Sequence, residues 1–305
     1  MNILITGGTG YIGTELAHIL SINDKVSQVL IYDNLSRSNY NLFLEHKFPS
    51  EKIKFIKGDI LNGRKLENAL LNIDVVYHFA AKVTTPYSDQ DLHQYEQVNH
   101  WGTTELVSKI EKSNVKHCIF LSSAAVYGFD EEPFSEDSVP SPANHYGITK
   151  WRAEKEFQRL SATRKITIIR SANVFGYSRS MRFDSVINRF MFDANFNRKI
   201  NVFGDGRQKR AFISINYLCK ILEAILFNKE FPHLLNLVEH NFSLNEIIFE
   251  YLKEIYPNLD VLFVNQEIPA KSMILKSKYE IMDKYKDQGS DFTSYLQQFK
   301  SKFSF

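Results

Sequence analysis

Met1-Asn2-Ile3-Leu4-Ile5 runs straight into Thr6-Gly7-Gly8-Thr9-Gly10-Tyr11-Ile12-Gly13, and an apolar-periodic segment continues to Leu20. Strand, glycine-rich turn and helix are the elements this order predicts. In such a unit Gly7 permits a tight turn, Gly10 lets backbone approach a pyrophosphate, and Gly13 lets the helix pack close on the strand. Open N–H groups and the dipole at the helix start favour an anion there. An ordinary glycine turn in an α/β protein could carry the same residues, so the neighbourhood decides. Val29-Leu30-Ile31-Tyr32-Asp33 is a second apolar run ending in an acid. It lies about 20 residues beyond Gly13, where a ribose-binding carboxylate belongs. The pair of runs reads as a dinucleotide site.

Outward from this unit, apolar runs alternate with helical patterns through the first half of the chain. Ile53 to Ile56, Asp74 to Phe79, Lys116 to Leu121 and Lys165 to Arg170 read as strands, while about 91–113 and Tyr146 to Leu160 read as helices. Such alternation predicts right-handed βαβ crossovers and a mainly parallel sheet covered on both faces. Ligands bind beyond the carboxyl ends of those strands. The polar clusters at Asp33, Asp59, Ala80-Ala81 and Ser122-Ser123 fall there. After Arg170 the character changes: a helix near 184–197, a strand and turn at Val202 to Gly206, a helix over Tyr217 to Asn228, a strand at Leu234 to Val238, and a helix capped by Ser243 and ended by Pro257. Lys276 to Phe305 is lysine-rich and reads as short surface helices.

The bulk composition bounds the function. With 305 residues, 44% apolar and 24% charged, the chain is globular. Its 37 basic minus 35 acidic residues leave +2. No nucleic-acid partner is implied, since no basic block stands out. Cys118 and Cys219 sit in apolar runs and read as small buried hydrophobes. No apolar run approaches about 18 residues and no basic leader precedes the first strand, so the expectation is a cytoplasmic protein with no membrane association. The scattered histidines have no ligand spacing, so no metal is expected.

Tyr146-Gly147-Ile148-Thr149-Lys150 places a tyrosine and a lysine four apart at a helix start, on one face. A phenol is a poor base at neutral pH, and a nearby ammonium would favour its phenolate. Alone, such a pair would be coincidence. Here it follows a dinucleotide motif and a strand ending in paired serines.

Those segments carry a resemblance that covers nearly the whole chain. The sequence resembles an extended short-chain dehydrogenase/reductase of the NAD-dependent nucleotide-sugar epimerase/dehydratase family. The matching segments are Thr6 to Gly13, Asp33-Asn34-Leu35, Gly58-Asp59-Ile60, His78-Phe79-Ala80-Ala81, Val98-Asn99 and Ser122 to Gly128. They continue with Tyr146 to Lys150, Arg170 to Gly176 and Val202 to Gly206. The resemblance implies a Rossmann doubly wound parallel sheet with a smaller C-terminal substrate-binding lobe. The NAD-binding domain would span 1–170 with a returning segment at about 207–228, and the lobe 171–305. NAD would contact Gly7, Gly10, Tyr11, Ile12, Gly13, Asp33, Asn34, Asp59, Ile60, Ala80, Ala81, Lys82 and Asn99. Tyr146 would be the base, Lys150 would hold the nicotinamide ribose and tune Tyr146, and Ser123 would hydrogen-bond the reacting sugar oxygen. Asp33 implies NAD over NADP, because a carboxylate repels a 2′-phosphate.

The implied chemistry starts by oxidising a sugar hydroxyl, usually at C4, with Tyr146 taking the proton. Dehydratases of the family place Asp-Glu directly after the catalytic Ser/Thr, where this chain has Ala124 and Ala125. Neither can transfer a proton, which leaves C4 epimerisation first and 4-dehydrogenation or 4-keto reduction second. A non-catalytic NAD-binding module is the reading from another class, and intact Ser123, Tyr146 and Lys150 argue against it. On the substrate side the resemblance assigns a nucleotide-activated sugar to Asn173, Arg182, Val202, Phe203 and Arg210, besides Ser123. Arg182 could reach a phosphate or carboxylate, or pair with Asp184. The lobe departs from the family pattern at Arg210-Ala211-Phe212, Tyr217-Leu218 and Pro269-Ala270-Lys271. By analogy the two helices at about 91–113 and 146–160 would pair into a homodimer.

Overall fold

Ile3, Leu4 and Ile5 are fully buried in β1 (Asn2–Thr6), apolar on both faces, so the strand must lie inside a covered sheet. The computed structural model describes residues 1–44, 51–83, 91–264, 271–286 and 291–304. The other strands of the first half are β2 (Gln28–Asp33), β3 (Ile53–Lys57), β4 (Val75–His78), β5 (His117–Ser123), β6 (Asp130–Phe134) and β7 (Lys165–Ser171). Then come β8 (Asn173–Phe175), β9 (Lys199–Phe203), β10 (Lys209–Ser214), β11 (Leu234–Leu237), β12 (His240–Ser243), β13 (Asp260–Val264) and β14 (Met273–Leu275).

Seven strands form one sheet in the order β11-β7-β5-β4-β1-β2-β3, every pair parallel. This is the doubly wound Rossmann arrangement, and its order reverses between β1 and β4. Helices α1 (Tyr11–Ile22), α2 (Gly63–Ala69), α3 (Leu92–Tyr95), α4 (Gly102–Glu111), α5 (His145–Arg159), α6 (Val186–Phe196) and α7 (Ile215–Phe227) supply most of the cover. On one face Leu16, Leu20, Leu218 and Leu222 of α1 and α7 meet Ile3, Ile5 and Ile31. On the other, Leu66, Leu106, Ile110 and Phe157 meet Leu4, Val76 and Phe120. A π-helical stretch, Glu96–Trp101, joins α3 to α4, so the region read as one helix is continuous but locally underwound.

The second lobe holds a smaller sheet, β12-β10-β14-β6 with β8 beside β10, and the parallel pair β13–β9. β6, Asp130-Glu131-Glu132-Pro133-Phe134, carries no apolar alternation. β11 returns to the edge of the large sheet and α7 packs on α1, so the chain crosses between the lobes more than once. Ser243 caps its helix through a reciprocal box with Glu246. The reading of the C-terminal tail as surface helices needs correction. In the helix Phe292–Lys300, Phe292, Leu296 and Phe299 are buried and join Phe175, Phe190 and Ile248 in the lobe core. Amphipathic spacing gives the apolar face, but only the packed lobe shows what covers it. Cys118 and Cys219 are buried and unpaired, as expected.

Candidate active site

The cleft opens at the reversal point between β1 and β4. Gly7 there has φ +71°, and a Cβ on it would lie 2.6 Å from the Ala80 nitrogen. Only glycine lets the turn after β1 touch the end of β4 so closely. Gly13 backs onto Gly7 and Gly8, so the start of α1 is pressed against the turn that follows β1. Gly10 caps α1 without a side-chain acceptor. The first-turn N–H groups of a helix have no intrahelical partner, and Gly10, Tyr11 and Ile12 line the cleft.

Asp33 ends β2. One carboxylate oxygen accepts from the Thr9 N–H at 3.1 Å and the other from the Leu35 N–H at 2.8 Å. Each oxygen keeps a lone pair for a further donor such as a ribose hydroxyl. Asn34 donates to Asp59 at 2.9 Å, and both border an adjoining hollow with Gly58, while Ile60 faces the main cleft. Ala80, Ala81 and Lys82 form the opposite wall. Asn99 does not line it. Buried behind, Asn99 accepts from the Lys82 N–H at 2.7 Å, donates to the Lys82 carbonyl at 3.0 Å and reaches Thr149 at 3.2 Å. It clamps the wall instead of facing a ligand.

Ser123, Tyr146 and Lys150 meet in the same cleft, a cavity of about 630 Å³. Asn144 caps α5 by accepting from the Gly147 N–H at 2.8 Å, which sets Tyr146 in the first turn. A Cβ on Gly147 would lie 2.4 Å from the Ala125 carbonyl, so the helix start is pressed on the loop after β5. Tyr146 and Ser123 both line the cleft, and Ser123 is near enough to act on the Tyr146 phenol. Lys150 donates to the Leu121 carbonyl at 2.6 Å and lies 4.2 Å from the Phe120 ring centroid.

The charge balance differs from the expectation of a phenol eased by Lys150. Burial pushes the Tyr146 phenol above its ordinary value; the charge of Arg182 and the Ser123 hydroxyl work against that rise. Burial also pulls the Lys150 ammonium down to about 7, opposed by the Glu154 carboxylate. A sequence shows a lysine one turn away but not that both groups are desolvated.

Arg182 lines the cleft from the lobe side. It pairs with Asp184 at 2.5 Å and donates to the Val83 carbonyl at 3.2 Å. Arg37, from the loop after β2, holds the same Asp184 at 3.2 Å. Burial raises the Asp184 carboxyl, but the two arginines prevail and hold it below its ordinary value. Arg182 thus has the expected Asp184 partner while it lines the cleft. Asn173 also lines the cleft and donates to the Ala211 carbonyl at 3.0 Å from within β8. Val202, Phe203 and Arg210 are not among the cleft-lining residues. Val202 is fully buried in the lobe core, Phe203 is 69% exposed, and Arg210 donates to the Lys209 and Lys271 carbonyls. Pro269 and Ala270 lie outside the described residues.

One supporting chain escaped the sequence. His78 bonds Thr6 at 2.6 Å and Thr103 at 2.9 Å, and Thr103 donates to the Asn99 carbonyl. Burial, with the Lys150 charge adding to it, pulls His78 down to about 3, so the ring stays neutral. Among the described residues no group of His, Cys, Asp or Glu is placed to hold a metal.

A switch-point crevice with open helix N–H groups, a strand-end carboxylate and a Ser-Tyr-Lys cluster defines a dinucleotide-dependent short-chain dehydrogenase/reductase. More particularly, the chain belongs to the NAD dependent epimerase/dehydratase family, whose model matches residues 3–237. It is 33% identical over 233 residues to the mouse (Mus musculus) dTDP-D-glucose 4,6-dehydratase, covering 73% of this chain and 63% of that one. Over 242 residues it is 29% identical to the Bacillus subtilis (strain 168) protein named uncharacterized UDP-glucose epimerase YtcB, covering 77% and 74%. Among solved structures, UDP-glucuronic acid 4-epimerase from Bacillus cereus, with UDP-glucuronic acid and NAD, superposes at TM-score 0.84. That match is 25% identical and covers 99% of this chain and 98% of the other. UDP-N-acetylglucosamine 4-epimerase from Methanobrevibacter ruminantium M1, with UDP-N-acetylmuramic acid, superposes at 0.82 with 25% identity and 99% of both chains covered. Among the described residues no helix is long and apolar enough to cross a membrane.

Proposed function

We propose that this chain is an NAD-dependent nucleotide-sugar epimerase working through a transient 4-keto sugar. The residues suit the dinucleotide: the open first turn of α1 for its pyrophosphate, Asp33 and Asn34 for the adenosine ribose, Ile60 and the Asp59 hollow for adenine. Bound NAD supplies a hydride acceptor that can also give the hydride back. Tyr146 takes the proton of the C4 hydroxyl and later returns it, Ser123 holds the reacting oxygen, and Lys150 holds the nicotinamide ribose. Residues 1–170 with the returning segment at 207–228 would hold the cofactor and 171–305 the sugar nucleotide, with Asn173 and Arg182 toward the diphosphate and sugar.

The observation that carries epimerisation over dehydration is Ala124-Ala125 beside Ser123. Among the described residues the acids lining the cleft are Asp33, at the ribose side, and Asp184, engaged by two arginines. Neither is free to move a proton at C5 or C6. A homodimer through α4 and α5 belongs to the same reading, supported by exposed Trp101 and Leu92 beside those helices; a monomeric mass at micromolar concentration would remove it. Cytoplasmic work also belongs to it, in keeping with two unpaired buried thiols. The test is to incubate the purified protein with a panel of nucleotide sugars and follow both products and the absorbance of reduced nicotinamide. Epimer without lasting absorbance is expected. Lasting absorbance would make it a dehydrogenase, and a dehydrated product would make it a dehydratase.

A further inference from the structure

Beneath the cleft lies a buried ionic cluster that the chemistry above does not use. Arg170, on β7, donates to both oxygens of Glu154, through Nε at 3.0 Å and a terminal nitrogen at 2.7 Å. The two side chains are 4% and 1% exposed. Ser122 donates to the same carboxylate at 2.5 Å. A buried ion pair adds little net stability over an apolar filling of the same shape, so stability alone does not account for it.

Its position suggests another use. Successive side chains on a strand face opposite ways, so Ser122 reaches back into the protein while Ser123 reaches the cleft. Lys150 and Glu154 stand one helical turn apart on α5. The last three residues of β5 are therefore each tied to α5. Leu121 accepts from Lys150, Ser122 donates to Glu154, and Ser123 meets Tyr146. Arg170 grips the carboxylate bidentately and fixes its direction.

We propose that Glu154, held by Arg170, is a positioning residue of the reaction. It fixes the register of α5 on the end of β5, so that Ser123 and Tyr146 address one sugar oxygen. This rests on the epimerase reading of the site. Glu154 also stands one turn from Lys150 on α5, and its carboxylate opposes the loss of the ammonium proton.

Two variants test it in the full-length protein. Ser122→Ala removes one tie and leaves the ion pair whole. It should lower kcat about tenfold while KM for the nucleotide sugar, bound NAD and melting temperature stay near wild type. Glu154→Gln keeps shape but removes charge. By ¹⁵N NMR of lysine Nζ, with the Lys150 signal assigned by its loss in Lys150→Met, the titration midpoint should fall by about half a pH unit or more. Wild-type kcat in Ser122→Ala together with an unchanged Lys150 midpoint in Glu154→Gln would reduce the cluster to a structural pair and overturn the proposal. If Glu154→Gln does not fold, Ser122→Ala decides the positioning claim. If the wild-type protein turns over no nucleotide sugar, the epimerase reading falls, while the NMR titration still decides the coupling to Lys150.

Discussion

The two walls of the cleft are built in different ways. The sheet-side wall is mostly backbone: the Gly7–Gly13 turn, the open start of α1, and Ala80 to Lys82 clamped by Asn99. The lobe-side wall is mostly side chain: Arg182, Asp184 and Asn173, each fixed by partners elsewhere in the chain. A backbone wall needs a short local motif and suits a ligand common to a family. A side-chain wall can be changed one residue at a time, and it is where selectivity for one sugar can arise without disturbing the cofactor.

The largest effect should come where the walls meet. Tyr146→Phe removes the proposed proton acceptor and should lower kcat about 10²–10⁴-fold while NAD content and melting temperature hold, measured by turnover and cofactor release. A comparable loss of NAD would mean that the sheet-side wall depends on this side chain too. Next, Leu296→Ala empties a fully buried position of the lobe core and should cost about 2–5 kcal/mol in denaturant unfolding. If the walls are independent, surviving folded protein keeps NAD and weakens only toward the nucleotide sugar.

Acid should act on the sheet half. Burial pulls His78 and His117 from 6.5 to about 3, helped by Lys150 for the first and by Lys165 and His233 for the second. The unfolded chain then binds more protons between those values. Stability is therefore full above about pH 6.5 and is lost as pH falls toward 3, by a few kcal/mol. Melting temperature against pH checks this, and His117→Gln should flatten the slope. The smallest effect concerns selectivity: Arg182→Ala should lower kcat/KM by about tenfold, with bound NAD unchanged. An equal loss of NAD would blur the distinction between the walls.

The same contrast explains what the sequence disclosed. The glycine turn, Asp33 and the Tyr146–Lys150 spacing are local, so residue order alone places them. The Arg170–Glu154 pair joins residues 16 apart, and the His78 bonds span 72 and 25 residues, so only the folded sheet brings them together. β6 escaped because Asp130-Glu131-Glu132-Pro133 reads as a turn; it is a strand by pairing with β14. Burial opposes the expected easing of the Tyr146 phenol, because desolvation depends on how much protein covers the ring, which no spacing reveals. Val202 and Arg210, adopted from the family pattern, lie off the cleft because the lobe's strands put one in the core and turn the other toward backbone carbonyls.

The central claim is that one hydride leaves C4 and comes back to C4. The direct test is a nucleotide sugar deuterated at C4, incubated with the protein in ordinary water and followed by NMR and mass spectrometry. Epimerisation predicts a C4 epimer that keeps the deuterium at C4, with no label lost to solvent. Label moved to C6 with loss of water, or left on released cofactor with a stable 4-keto product, would contradict it.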